Sequence, residues 1–257
     1  MKSPKISIVI PSLNKGLRIG ETLTSIYKQK YQNLEVIIMD GGSVDNTTPI
    51  VKKFTQKYRN LYWYSKKDNG QLDAINKGLK KITGDIVSFI NADDIYEREA
   101  FKAISHAYIK NPNALWFAGY GKIINNQGQE IMKLISLYKN LFLFLNRKSL
   151  ILILNYLTQP SVFLTRMAYK KYGPFTGNND FVMEYDLWLR LSRVQMPVVI
   201  NKNISKFRIE AGTKTKLMYE RLLYEDSKIV KKYTSNVLVL FLHRVHNLGR
   251  VLINKFI

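Results

Sequence analysis

Short apolar runs alternate with amphipathic segments along the first hundred residues of the chain. Four runs rich in Ile, Val, Leu and aromatic residues predict strands, because β-branched and aromatic side chains favour extended backbone. These predicted strands are residues 6–10, 34–39, 61–64 and 86–90. Between them, apolar residues recur every three or four positions, which predicts helices. Strands that alternate with helices predict an α/β fold with a mostly parallel sheet flanked by helices.

The second half of the chain has a different pattern. Residues 114–124 and 131–135 predict two strands of a hairpin, and residues 180–192 predict a helix. Residues 137–157 are very apolar but are interrupted at 146–148, so each piece is too short to span a bilayer. We expect a core or interfacial helix there. The chain is interpreted as a domain of residues 1–215 and a helical, basic, amphipathic C-terminal extension of residues 216–257.

Composition narrows the classes of protein that fit this pattern. The 257 residues are 46% hydrophobic, which is enough for a sizeable core. The absence of cysteine excludes disulfides, zinc–thiolate sites and thiol nucleophiles, and it fits a reducing compartment. The first apolar run is too short for the core of a signal peptide, so we expect a cytoplasmic protein.

The net charge of +21 favours anionic partners, namely nucleic acid, acidic lipid or phosphorylated small molecules. The basic residues are spread along the chain without long blocks, which argues against a nucleic-acid-binding arm.

Polar residues stand where three of the predicted strands end. The loop 11–14 follows the first strand, Asp40 ends the second, and Asp93 and Asp94 follow the fourth. Ligands of parallel α/β sheets bind beyond the carboxyl ends of the strands, so we expect these residues to converge on one edge.

The adjacent carboxylates Asp93 and Asp94 have two interpretations. One of them caps the helix predicted over residues 97–111, where a carboxylate accepts from unpaired amide groups. Alternatively the pair binds a divalent cation together with a diphosphate, since hard cations prefer carboxylate oxygens and share their coordination with substrate phosphates.

Several motifs occur in a fixed order along the chain. They are PSLN at 11–14, DGGSVDNT at 40–47, DNGQLDAINKG at 68–78, TGDIVSFINADD at 83–94, QPSVF at 159–163 and MEYDLWLRL at 183–191, followed by the FR pair at 207–208 and GTKT at 212–215. Over residues 5–216 this series resembles the family 2 glycosyltransferases of GT-A fold, and more narrowly those that build bacterial surface polysaccharides.

The resemblance implies a donor site for a nucleotide-diphosphate sugar, with a UDP-sugar as the default. Asp93 and Asp94 would bind Mn²⁺ or Mg²⁺ and the diphosphate, with Asp94 as the direct ligand. Asp40 would contact the base, although Gly41 stands where many members have a second acid. The remaining implied donor contacts are Pro11, Ser12, Asn14, Asp73 and Arg208.

The resemblance also implies an inverting transfer, in which a general base takes the proton of the acceptor hydroxyl. Glu184 aligns with the acidic position, and Asp186 is the alternative base or an i,i+4 ion-pair partner of Arg190. Gln159 and Trp188 would lie on the acceptor side, with Trp188 either in the core or as a platform. Glu210 replaces a histidine usual in the family, and it would add either an oxygen ligand or unhelpful charge.

The expected partners are a nucleotide-diphosphate sugar and a glycan or lipid-linked acceptor, without nucleic acid. The C-terminal extension either docks on the domain or lies on an anionic membrane, which would place the protein peripherally on the inner face of the cell membrane. Three other classes stay open: a nucleotide-sugar-binding pseudoenzyme of the same fold, a nucleotidyltransferase and a nucleic-acid binder.

Overall fold

The computed structural model describes residues 3–177, 182–209 and 219–255 of the chain. Its described strands form one sheet in the order β3-β2-β1-β4-β8-β6-β9-β5, with β7 paired to β6. The strands are β1 (Ile6–Ser12), β2 (Leu34–Asp40), β3 (Leu61–Ser65), β4 (Ile86–Phe89), β5 (Ile95–Tyr96), β6 (Trp116–Ile124), β7 (Glu130–Ile131), β8 (Val162–Thr165) and β9 (Val198–Arg208).

The first four strands form the parallel half of the sheet. β1 pairs in parallel with both β2 and β4, and β2 pairs in parallel with β3. Beyond β4 the sheet becomes mixed, because β8 is antiparallel to β4 and to β6 while β9 is parallel to β6. The parallel arrangement that strand–helix alternation predicted is therefore confirmed for the first half, where that alternation occurs.

Helices cover both faces of this sheet. They are α1 (Ile19–Tyr27), α2 (Thr47–Lys57), α3 (Gln71–Leu79), α4 (Ala100–Lys110), α5 (Lys133–Leu145), α6 (Lys148–Ile153), α7 (Arg166–Tyr172), α8 (Met183–Ser192), α9 (Tyr219–Tyr233) and α10 (Val237–Lys255). Most of the helices predicted from the sequence are present in the structure, but they are shorter than predicted.

The sheet separates two apolar layers. On one face, Trp116 and Trp188 stack with ring centroids 5.7 Å apart, and Phe175 packs edge-on against Trp188. On the other face, Phe101 packs against Phe163 under α4. Burying a large apolar side chain contributes roughly 1.5–3 kcal/mol, so these layers fix the strand ends that carry the polar motifs.

The apolar stretch in the second half forms two helices. α5 ends at Leu145, its C-cap Asn146 has a φ of 46° in the left-handed region, and α6 begins at Lys148. The predicted hairpin is present through β6 and β7, but its second strand is short because α5 begins at Lys133. Among the described residues, no helix is long and apolar enough to cross a membrane.

The C-terminal helices dock on the domain. The Tyr233 hydroxyl of α9 donates to an Asp186 carboxylate oxygen of α8 at 2.8 Å. The ring Nδ1 of His243 in α10 lies 3.0 Å from the Ile153 carbonyl oxygen of α6. Both helices of the extension therefore contact the domain, which leaves the outward face of α10 for a separate partner.

Candidate active site

The carboxyl ends of β1, β2 and β4 meet at one edge of the sheet, which we call the donor edge. Ser12 at the end of β1 lies beside Asp40 at the end of β2. β4 runs along the other side of β1, with Phe89 beside Val9, and Asp93 and Asp94 follow it. The predicted convergence of the three motifs is confirmed, since parallel neighbours must end on the same side.

Two loops of the donor edge are joined by hydrogen bonds. The Asn14 side-chain oxygen accepts from Val44 N at 3.0 Å, and the backbone N–H of Asn14 donates to Ser43 Oγ at 2.8 Å. Asp45 accepts from Gly16 N at 2.9 Å. The PSLN loop is therefore fixed by the DGGSVDNT loop, and the Asn14 side chain serves this junction. Pro11 and Ser12 lie buried in the strand end below it.

Asp40 lies at the bottom of this junction and is 1% exposed. Its carboxylate accepts from the Ser43 hydroxyl and from Ser65 Oγ at 2.6 Å. The next residue is Gly41, where an added Cβ would lie 2.9 Å from a carboxylate oxygen of Asp68. Asp68 therefore places a second acid beside Gly41, and a side chain larger than glycine at 41 would displace it.

Asp94 is fully buried at the end of the fourth strand. Its carboxylate accepts from Arg208 N at 2.8 Å and from the Asn91 side-chain nitrogen at 3.1 Å. Burial and the neighbouring Asp93 charge raise the pKa of the Asp94 carboxyl well above its usual range. Asp93 is 9% exposed and is therefore the more accessible carboxylate of the pair, while the assignment of Asp94 as the direct ligand stays a prediction.

The helix-capping interpretation of this pair is not supported. α4 begins at Ala100, its N-cap is Glu99, and the short strand β5 lies between the carboxylates and the helix. Neither carboxylate is therefore needed for that helix terminus.

Lys15 supplies the cation that faces the carboxylate pair. Lys15 lies in the loop that follows β1, and its ammonium donates to the Asp93 carboxylate. No role for Lys15 could be inferred from the sequence, because only the fold brings positions 15 and 93 together. A divalent cation at Asp93 would require the ammonium to move aside or to share the diphosphate.

Arg208 lies behind the pair, and its side chain is fully buried. Its Nε donates to the Asp93 carbonyl oxygen at 2.9 Å and its NH2 to Glu21 at 2.6 Å. Its NH1 donates to the carbonyl oxygens of Asn125 and Asn126. In this arrangement Arg208 is not available to a phosphate, contrary to the sequence expectation, and it positions the carboxylate loop instead.

Helix α3 contributes one end of a hydrogen-bonded chain to the same edge. Gln71 Nε2 donates to the Asn91 side-chain oxygen at 2.7 Å, and Asn91 in turn donates to Asp94. Asp73, the predicted donor contact, accepts from Lys77 Nζ at 2.6 Å and from Asn69 N at 3.0 Å. These bonds lower the pKa of the Asp73 carboxyl, the Lys77 bond most, and they stabilise the start of α3.

The two acids of α8 lie in different environments. Asp186 is buried and accepts from Thr176 Oγ at 2.8 Å and from the Tyr233 hydroxyl. It also pairs with Arg190 Nε at 3.2 Å, so the predicted i,i+4 ion pair is confirmed. Glu184 is half-buried in the first turn of the helix. Asp186 thus has a structural role, and the assignment of Glu184 as the base stays a prediction.

The loop before α8 is attached to the donor edge. The Asn76 side chain of α3 donates to the Phe175 carbonyl oxygen at 2.9 Å and accepts from Phe175 N at 3.1 Å. The Phe175 ring packs edge-on against Phe89, at the end of β4, with centroids 5.2 Å apart. These contacts position the start of α8, and with it Glu184, relative to the carboxylate loop.

The two predicted acceptor-side residues lie differently. Gln159 Nε2 donates to the Phe89 carbonyl oxygen at 2.8 Å, while its buried Oε1 has no partner within the part of the chain that is described. Trp188 is buried between Trp116 and Phe175, so the structure places it in the core and not in an acceptor platform.

The donor edge offers few ligands for a metal ion. Within residues 3–177, 182–209 and 219–255, no group of three or more His, Asp or Glu side chains converges. Mg²⁺ and Mn²⁺ commonly use one or two carboxylates and complete their coordination with phosphates and water. The Asp93–Asp94 pair fits that limited role. Glu210, the other candidate oxygen ligand, lies outside the described residues.

Comparison with known proteins identifies the class. The family model described as glycosyl transferase family 2 matches residues 7–173, so the chain belongs to that family. An uncharacterized glycosyltransferase of Rickettsia prowazekii is 27% identical over 95% of this chain and 77% of its own length. Another from Haemophilus influenzae is 24% identical over 89% of this chain and 72% of its own.

Solved structures agree on the fold. The mannosyltransferase PcManGT from Pyrobaculum calidifontis, in complex with GDP-Man and Mn²⁺, has a TM-score of 0.68 at 15% identity over 94% of this chain and 69% of its own. Residues 1–349 of Staphylococcus aureus TarS, in complex with UDP, have a TM-score of 0.60 at 20% identity over 88% of this chain and 65% of theirs. The chain is a glycosyltransferase of GT-A fold.

Proposed function

We propose that the protein transfers a sugar from a nucleotide-diphosphate donor to an acceptor hydroxyl with inversion at the anomeric carbon. The observation that carries this proposal is the donor edge, where the first loop, Asp40 and the Asp93–Asp94 pair converge within a family 2 domain. The UDP and GDP-Man ligands of the two solved neighbours support the donor class.

The nucleoside would lie against the junction of the two loops. Pro11, Ser12 and Asn14 form its floor, and Asp40 with Asp68 presents acceptor oxygens to base N–H groups or ribose hydroxyls. The preformed hydrogen bonds from Ser43 and Ser65 to Asp40 keep its carboxylate oriented before the ligand arrives. Preorganisation of this kind lowers the entropic cost of binding.

The diphosphate would lie at the Asp93–Asp94 pair, with Lys15 beside it. A divalent cation held by the pair would neutralise charge that develops on the leaving diphosphate. Asp93 offers the accessible oxygen, and Asp94 holds the loop through Arg208 N and Asn91. The Lys15 ammonium, released from Asp93, would pair with a phosphate oxygen.

Glu184 would act as the general base. It takes the acceptor proton while the hydroxyl oxygen forms its bond to the anomeric carbon and the bond to the diphosphate breaks on the opposite face. Asp186 cannot replace it without losing its bonds to Thr176, Arg190 and Tyr233. The acceptor would be a glycan or a lipid-linked saccharide, as in the synthesis of a bacterial surface polysaccharide.

A thermal-shift panel tests the donor site. UDP, GDP, dTDP and CDP are each added with and without Mn²⁺ to the wild type, to Asp93→Ala and to Asp94→Asn. A ligand at a hundred times its dissociation constant stabilises the folded state by about 2.7 kcal/mol. A Mn²⁺-dependent rise with one nucleotide that Asp93→Ala abolishes is expected, and no rise with any nucleotide would contradict the proposal.

A nucleotide-sugar-binding protein without transferase activity is the second candidate. The ion pair between Lys15 and Asp93 favours it, because an ammonium already occupies the carboxylate that a cation would use. Here nucleotide would bind equally well without Mn²⁺, Lys15→Ala would abolish that binding, and neither donor hydrolysis nor transfer would occur.

A further inference from the structure

Helix α10 has its polar and apolar faces reversed relative to a helix packed on a protein core. Its buried side holds His243, which is 2% exposed, and Asn247, whose side-chain nitrogen lies 3.0 Å from His243 Nε2. Arg250 donates from the same side to the buried Asp226 of α9 at 3.1 Å. Leu238, Leu242 and Leu248 of α10 are exposed instead, whereas a helix on a core normally buries its apolar face.

Helix α5 carries a second outward apolar stripe. Leu134, Leu137, Leu141 and Leu145 recur at three- and four-residue spacing and are exposed, while Leu143 on the opposite side is buried. Together the exposed residues define the α5–α10 surface: Leu134, Leu137, Leu141, Phe144 and Leu145 of α5, and Val237, Leu238, Phe241, Leu242, Val245 and Leu248 of α10.

The two stripes adjoin one another. The Tyr138 ring of α5 stacks on the His246 ring of α10, with centroids 6.1 Å apart and an interplanar angle of 12°. Tyr138 lies four residues after Leu134 and His246 lies four residues after Leu242, so each contacting ring lies beside its stripe. Soluble monomers seldom expose a contiguous apolar patch larger than a few hundred Å², so this surface indicates a partner.

The charge around the surface indicates the chemistry of that partner. Residues 131–179, which include α5, contain seven Lys or Arg and no Asp or Glu. Residues 227–257, which include α10, contain six Lys or Arg and no Asp or Glu. Lys133, Arg147, Lys148 and Arg244 are exposed on or beside the two helices. A partner must therefore be apolar at its centre and negatively charged where these cations lie.

We propose that the α5–α10 surface docks on an anionic phospholipid membrane, with both helices lying in the plane of the interface. Apolar side chains enter the acyl boundary, while Lys and Arg reach the phosphates. A second copy of the chain fits less well, since two acid-free, positively charged faces would repel each other. This proposal stands on the surface alone and does not depend on the donor edge.

Vesicle flotation of the full chain tests this proposal. Vesicles of phosphatidylglycerol mixed with phosphatidylcholine are compared with phosphatidylcholine alone, at low and high salt. The wild type is expected to float with the anionic vesicles, less at high salt, and weakly with the neutral ones. Failure to float with anionic vesicles at low salt would overturn the proposal.

Matched variants separate the apolar and charged contributions. Phe144→Gln combined with Phe241→Gln is expected to reduce binding about tenfold or more, because each removes a large side chain from the acyl boundary. Arg147→Glu combined with Arg244→Glu should lower anionic binding and remove its salt dependence. The control, Met167→Gln combined with Val194→Gln, changes two exposed apolar residues elsewhere and should bind as the wild type does.

Two results would contradict a membrane partner. One is equal flotation of the wild type and the Phe144→Gln/Phe241→Gln variant, whose folding is checked by its circular dichroism and melting temperature. The other is a concentration-dependent dimer in the absence of lipid that this variant abolishes. That outcome would assign the surface to a second copy of the chain.

Discussion

The donor edge and the α5–α10 surface differ in where their polar side chains lie relative to the face that a partner would contact. At the donor edge, carboxylates face the strand ends and are oriented by internal donors, as Asp40 is by Ser43 and Ser65. On α10, the polar residues His243 and Asn247 face inward, while an apolar stripe that includes Phe241 and Leu248 faces outward. The first arrangement fits a small charged ligand, and the second fits an extended apolar partner with negative charge at its edge.

The comparison shows how each region lowers the free-energy cost of burying polar groups. Buried polar groups destabilise a fold unless they are hydrogen-bonded, and buried charges need a partner. Asp94 has N–H donors from Arg208 and Asn91, and Asp226 has the guanidinium of Arg250. Both networks hold loops or helices in place. In both, removal of one partner should destabilise the fold by more than the intact pair stabilises it, because the remaining group is left buried and unpaired.

The largest expected effect is on catalysis at Glu184. Glu184→Gln should reduce turnover by roughly 10²–10⁴-fold, because the amide cannot accept the acceptor proton. Nucleotide binding, measured by thermal shift, should not change. Turnover is measured as nucleotide diphosphate released in the presence of acceptor.

Asp186→Asn is the comparison for that substitution. It keeps the shape of the residue but weakens the ion pair with Arg190. Its main effect should therefore be a lower melting temperature, with only a small loss of turnover. Full activity of Glu184→Gln would remove Glu184 as the base.

The buried ion pair between the C-terminal helices gives the next effect. Arg250→Leu should destabilise the fold by about 3–5 kcal/mol, because it leaves Asp226 buried without its countercharge. Denaturant unfolding measures the change. Lys228→Met, which removes the more exposed pair with Glu225, should cost less than about 1 kcal/mol.

A double substitution sharpens that result. Asp226→Leu with Arg250→Leu should recover most of the lost stability, since both charges are then gone. A double variant as unstable as Arg250→Leu alone would show that packing around Arg250, and not its charge, stabilises the helix pair.

The two faces of α5 should respond differently to one substitution in water. Leu143→Gln places an amide in the core and should destabilise the fold by about 2–5 kcal/mol. Leu141→Gln on the exposed stripe should change stability by no more than about 0.5 kcal/mol. Equal destabilisation by both would mean that the outward stripe is packed in solution, against the proposed free surface.

The smallest expected effect is a pH dependence at the contact between α5 and α10. Burial, and then the nearby charges of Arg250 and His243, lower the pKa of His246 to about 4 from its ordinary 6.5. The unfolded chain takes up the proton first as pH falls, so His246 contributes stability above pH 6.5 that is lost progressively towards pH 4.

Melting temperatures between pH 7 and pH 4 measure this dependence. His246→Gln should flatten the curve in that window relative to the wild type. Tyr138, Lys139, His243, Asp226 and Arg250 surround the site, and comparing the two curves cancels their common contribution. A curve unchanged by the substitution would exclude His246 as a source of the pH dependence.

The parallel half of the fold and the place of the donor edge follow from the sequence alone. Apolar strands that alternate with amphipathic helices require parallel pairing, and parallel strands end together, so positions 12, 40 and 93 had to be neighbours. The i,i+4 pair of Asp186 and Arg190 was also predictable, because helical spacing alone brings the two together.

Which of these side chains are accessible to a ligand depends on the tertiary structure. Lys15 reaches Asp93, and Asp68 reaches Gly41, across separations that local patterns do not encode. Arg208 and Trp188 carry suitable chemistry but are enclosed by packing. The amphipathic pattern of α10 predicted two faces, but the side that turns inward depends on Asp226, Ile153 and Tyr138. Those partners come from other helices, so packing and not periodicity set the orientation.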